Sequence, residues 1–86
     1  MIYKTNYMTL DALSKKLNEM YVNAPEGGKV TMSILFGIKY YDHIKEVGVT
    51  SIIKQSGLPK NYYSEVSKGV NLACYVSLKK EKTLLL

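Results

Sequence analysis

A three-residue break, Gly57-Leu58-Pro59, limits the folds open to this chain more than any other feature; it is set between two short apolar-patterned runs and followed ten residues later by Gly69. Glycine tolerates the left-handed backbone that a sharp turn demands. Proline is harmless in the first turn of a helix, where its missing N–H has no intrahelical partner to lose. The break therefore predicts two short helices meeting at an angle. The first is capped by Thr50 or Ser51 and ended by Gly57; the second starts at Pro59 and is closed by Gly69. Ile52 and Ile53 before the glycine, Leu58 directly after it, and Tyr63 and Val66 at helical spacing form the inward set. With Tyr63 and Val66 facing inward, the second helix turns Lys60, Asn61, Ser64, Glu65 and Lys68 outward.

The remaining elements follow from periodicity. Leu10, Leu13, Leu17, Met20 and Tyr21 recur at three-and-four spacing, one stripe of an amphipathic helix with Thr9 as N-cap and Asp11 at its positive start. Pro25 and Glu26-Gly27-Gly28 end that helix near Asn23. A second helix, capped by Thr31, is expected through Ile34, Leu35, Ile38, Tyr41 and Ile44 to about Val47, with Gly48 stopping it. Gly37 inside it costs up to about 1 kcal/mol in propensity, which points to close packing there. After Gly69 the pattern changes to alternation: Val70, Leu72, Cys74, Val76 and Leu78 against intervening Asn71, Ala73, Tyr75, Ser77 and Lys79. That reads as a half-buried strand. Lys79 to Lys82 would be a charged hairpin tip or a frayed end, and Thr83 to Leu86 a returning strand. The expected fold class is mostly α, about four helices with a small C-terminal strand or hairpin. Its core is drawn from Leu13, Leu17, Leu35, Ile38, Ile52, Leu58, Val66 and Val76.

Composition narrows the function classes. Eighty-six residues suffice for one core, so a single domain over 1–86 is expected. With 47% hydrophobic and 22% charged residues the chain is built to fold. Twelve basic residues against seven acidic ones give +5, a charge that attracts polyanions. All twelve are lysines, so the planar fork that reads guanine bidentately is missing, and base reading falls to Lys, Asn, Ser or Tyr. One cysteine and one histidine cannot form an internal disulfide or a His/Cys zinc site, and a cytoplasmic location is expected. Neither a secretory signal nor a membrane-spanning run is visible in the first twenty residues, and the Leu84-Leu85-Leu86 tail is too short to cross a bilayer.

The stretch from Val49 to Gly69, with its apolar slots and turn glycine in register, resembles the helix-turn-helix of bacterial regulators. The alternating run after it extends the likeness to winged helix-turn-helix domains. There is a looser similarity to small HTH-like domains of bacteria and their mobile elements. Two positions depart from the pattern: Ile53 stands where a small residue usually lets the helices approach closely, and Tyr63 where a β-branched aliphatic residue is usual. The resemblance implies double-stranded DNA as partner, with the second helix in the major groove and the first bracing it. The expected site is Lys60, Asn61, Tyr62, Ser64, Glu65 and Lys68. Asn61 suits adenine, Ser64 either donates or accepts, Glu65 suits cytosine N4, Lys60 and Lys68 suit phosphates, and the Tyr62 hydroxyl suits phosphate or packs inside. Reading paired half-sites calls for a homodimer, for which the Leu10 to Tyr21 helix is the candidate surface. The role implied is a small transcriptional regulator or an accessory DNA-binding protein of a mobile element. The alternative is a protein-interaction module that keeps the fold without DNA.

No catalytic constellation is legible. His43, near Asp42 and Glu46, has no second histidine and no defined nucleophile to work with. Cys74 is expected to be a buried small hydrophobe on the strand. Gly27-Gly28-Lys29 lacks the rest of a phosphate-binding loop. No cofactor, metal or small-molecule substrate is expected.

Overall fold

The computed structural model describes residues 7–79. These form five helices: α1 (Leu10–Val22), α2 (Lys29–Lys39), α3 (Tyr41–Val47), α4 (Val49–Ser56) and α5 (Tyr62–Leu72). The first follows its sequence pattern closely. Thr9 Oγ1 accepts from the Ala12 amide at 3.1 Å, Asp11 lies in the first turn, and the Asn23 amide caps the end on Glu19 and Tyr21 carbonyls. Leu13, Leu17 and Met20 are buried on its inner face. The apolar stripe nominated for self-association is thus spent on the protein's own core.

The expected helix from Thr31 to Val47 is two helices. It starts earlier, at Lys29, with Gly28 rather than Thr31 at the N-cap, and it bends at Tyr40 (φ −109°, ψ 22°). The ladder passes through the bend almost unbroken, with the Tyr40 amide on Phe36 O at 3.0 Å and the Ile44 amide on Tyr40 O at 2.9 Å. The Tyr40 ring packs 5.2 Å from that of Phe36, and Phe36 and Ile44 are both fully inside. The bend redirects α3 across α1 and α4.

Gly57 adopts the left-handed conformation (φ 80°, ψ 7°) and ends α4 as expected. Neither Thr50 nor Ser51 caps α4, which begins on Gly48. Pro59, Lys60 and Asn61 form a tight turn whose carbonyls accept from the Tyr62, Tyr63 and Ser64 amides at 3.0, 3.0 and 3.3 Å, so regular α5 starts at Tyr62.

The largest departure lies at Gly69, which does not stop α5. A Cβ there would sit 2.0 Å from the Ile34 carbonyl oxygen and 2.9 Å from Gly37 Cα; one at Gly37 would sit 2.3 Å from the Val66 carbonyl oxygen. The two glycines are the crossing point of α2 and α5, the most extensive helix pair among the described residues. Backbones this close exclude any side chain. The close packing expected of Gly37 is found, and its partner is the glycine read as a terminator.

The residues beyond Gly69 overturn the winged-helix-like architecture. There is no strand among the described residues: Val70 to Leu72 complete α5, and the Tyr75 and Val76 amides turn back onto Leu72 O at 2.8 and 3.1 Å. A strand at 70–78 would need a partner edge for its amides, whereas a helix meets its own needs internally. Cys74 is exposed rather than buried, Tyr75 is 84% exposed, and Val76 is exposed instead of joining the core. The returning strand at 83–86 and most of the hairpin tip lie outside the described residues.

The core that results contains Leu13, Leu17, Ile52, Leu58 and Val66 as expected, with Phe36, Met20, Ile44 and Ile53 besides. Leu35 and Ile38 are half-buried. Each fully buried aliphatic or Phe side chain contributes about 1.5–3 kcal/mol relative to exposure.

Candidate nucleic-acid interface

The inner face of α5 is set by Tyr62, Val66, Gly69 and Ala73, spaced four, three and four residues apart, with Val70 alongside. Val66 and Gly69 are buried and the other three are half-buried. Tyr62, not Tyr63, takes the inward slot of the first turn. Its ring meets Tyr21 of α1 edge-on at 5.2 Å. Desolvation first, then the neighbouring Tyr21 and Glu65, raise its phenol above the ordinary tyrosine value, so it is a neutral hydroxyl at physiological pH. Tyr63, expected inside, is 46% exposed. The correction follows from register: with α5 locked by Gly69 on Gly37, position 63 falls on the rim towards α4.

The opposite side of α5 and its leading turn carry Lys60, Asn61, Ser64 and Lys68, all exposed. Asn71, read from the sequence as part of a strand, shares this outward face and is also exposed. Asn61 stands at the N-cap yet makes no side-chain capping bond, so its amide group is not committed to the helix. Glu65 lies at the edge, its side chain only 18% exposed, and accepts from Lys68 Nζ at 3.3 Å. Among the described residues, no ion pair engages Lys60 or Lys54, the next cation along towards α4; the other pair joins Lys16 and Glu19 on α1. Between α4 and α5 lies an open cleft of about 490 Å³ lined by Thr50, Ile53, Lys54, Lys60, Tyr63 and Ser64. Thus five of the six expected site residues gather on or beside one face, while Tyr62 turns towards the body. Sequence reasoning did not place Tyr63, Lys54, Thr50 or Asn71 here: a helix running through Gly69 was the needed signal for Tyr63 and Asn71, whereas Thr50 and Lys54 join the cleft only through the packing of α4 beside α5.

His43 Nδ1 accepts from the Met8 amide at 2.9 Å and its ring meets Tyr7 edge-on at 5.5 Å, tying residues 7–8 to α3. Among the described residues no three His, Cys, Asp or Glu side chains are grouped so as to hold a metal ion, and no helix is long and apolar enough to cross a membrane.

Two short helices joined at a left-handed glycine, the second presenting a polar and basic face, define a helix-turn-helix domain. Residues 9–79 match the family model described as an HTH-like domain. The chain belongs to that family, whose fold points to DNA binding in general and is typically non-enzymatic. No curated protein and no solved structure matches the chain.

Proposed function

We propose that the protein binds double-stranded DNA in a sequence-dependent manner, as a small transcriptional regulator or an accessory DNA-binding protein of a mobile element. The observation that carries this reading is the two-sidedness of α5. One side is held on α2 without room for a methyl group, and the other carries Lys60, Asn61, Ser64 and Lys68 into solvent. A helix so held can enter the major groove without rearrangement. In this reading Lys60 and Lys68 engage phosphates, Asn61 pairs with adenine, and Ser64 contacts a base edge. Glu65, bonded to Lys68, orients that lysine and is within reach of a cytosine amino group only at the edge of the contact. The Tyr62 hydroxyl reaches a phosphate only beside its packing on Tyr21.

Specific recognition by so small a reading helix calls for two copies on half-sites about 34 Å apart. Self-association would use the exposed apolar residues after the reading face, Leu72, Tyr75 and Val76, in place of α1. The same residues favour the second reading, a protein-interaction module. Salt separates the two. Fluorescence anisotropy on a mixed-sequence duplex should show affinity falling roughly hundredfold between 50 and 200 mM salt if about four phosphates are engaged, whereas an apolar interface would hardly respond. Lys60→Glu combined with Lys68→Glu should abolish duplex binding while leaving the circular dichroism spectrum unchanged. Undiminished affinity in that double variant would remove α5 from the interface.

A further inference from the structure

The cleft between α4 and α5 mixes two kinds of surface. Lys54 and Lys60 bring charge, while Thr50, Ile53 and Tyr63 bring hydrocarbon. Tyr7, Tyr21, Tyr40 and Tyr62 each pack against another ring, whereas Tyr63, like Tyr41 and Tyr75, is in no ring pair among the described residues and instead lines this cleft. It stands 46% exposed, one turn before buried Val66 and next to outward-facing Ser64. The half-exposed Tyr63 ring lines the cleft together with buried Ile53 and with Lys54 and Lys60, which no ion pair engages among the described residues, and such a half-open apolar slot is complementary to an apolar group on a ligand.

In the major groove only one base carries such a group on its edge, the C5-methyl of thymine. We propose that Tyr63, with Thr50 and Ile53, forms a slot that receives a thymine methyl, while Lys54 and Lys60 hold the flanking phosphates and Asn61 takes adenine. This deepens, and rests on, the reading of α5 as the DNA-contacting helix. It assigns the domain a preference for A·T pairs in the major groove. The absence of arginine from the chain points the same way, because the strongest guanine contact is the bidentate arginine fork.

The test replaces one atom group on the ligand. The protein is titrated against a short A·T-rich duplex and against the same duplex with every thymine replaced by uracil, which removes the methyls and leaves pairing and charge intact. Each methyl received by the slot should tighten binding about fourfold, the effect of withdrawing one carbon from water. Tyr63→Ala should erase the thymine-over-uracil ratio while retaining the salt dependence of the wild type, and Tyr63→Leu should keep part of the ratio. Equal affinity for the two duplexes, or a ratio that survives Tyr63→Ala, would overturn the slot and leave DNA binding by α5 standing. Absence of binding to either duplex at low salt would instead overturn the DNA reading itself, and the slot with it.

Discussion

The two sides of α5 obey opposite rules. Towards α2 the helix meets a backbone, and at Gly69 a single added carbon would lie 2.0 Å from the Ile34 carbonyl oxygen. Towards solvent the same helix carries lysine, asparagine and serine with no packing demand at all. The glycines that bracket the unit differ in the same way. Gly57 has open space around it and is needed for its positive φ, whereas Gly69 sits in the crowded crossing of two helices. Together these contrasts show how a domain of this size holds a polar helix face still. The rigidity comes from backbone-to-backbone contact behind the helix, leaving the front without packing constraints.

Substitutions rank the two sides. Gly69→Ala should be the most damaging, because neither contacting atom belongs to a flexible side chain. A loss of about 3 kcal/mol or more is expected in urea unfolding, and a loss under about 1 kcal/mol would show that the crossing can open without cost. Val66→Ala, on the same buried side, should cost about 2 kcal/mol, through lost burial and the cavity it leaves. Gly57→Ala forces a side chain into the left-handed region but meets nothing in space. It should cost about 1–2 kcal/mol, clearly less than Gly69→Ala. Reversal of that order would mean the turn, not the crossing, holds α5. At the bottom of the scale, Ser64→Ala on the open side should change unfolding free energy by under about 0.5 kcal/mol. A larger effect would place Ser64 in the fold rather than on the interface.

Much of this arrangement was legible in the amino-acid sequence, and the failures share a cause. The α1 stripe, its Thr9 cap and the Gly57 turn are local features, determined by residues within one or two turns of each other, and they fall where the pattern puts them. Lys60, Asn61, Ser64 and Lys68 are outward because Val66 is inward, again a local inference. Gly69 misled because a glycine can end a helix or admit a neighbour, and only the presence of Gly37 on another helix decides between them. From that one misreading came the shortened α5, the alternating run taken for a strand, and Cys74 and Val76 placed inside. Tyr63 is expected inside, and is not, because adjacent tyrosines carry nearly the same apolar weight. Which one packs follows from the register that Gly69 sets against Gly37, which brings Tyr62 onto Tyr21, far away in sequence. The bend at Tyr40 has no breaker residue to announce it.

If the open side of α5 is the surface that meets DNA, the contact should be visible residue by residue. Isotope-labelled protein titrated with a mixed-sequence duplex, and followed amide by amide by NMR, shows where the duplex sits. Perturbations should concentrate at Lys60, Asn61, Tyr63, Ser64 and Lys68, fade with added salt, and leave the far side of α1, around Lys16 and Glu19, unmoved. Salt-sensitive perturbations confined to α1 or α3, with the residues of α5 silent, would place the DNA elsewhere and remove α5 as the reading helix.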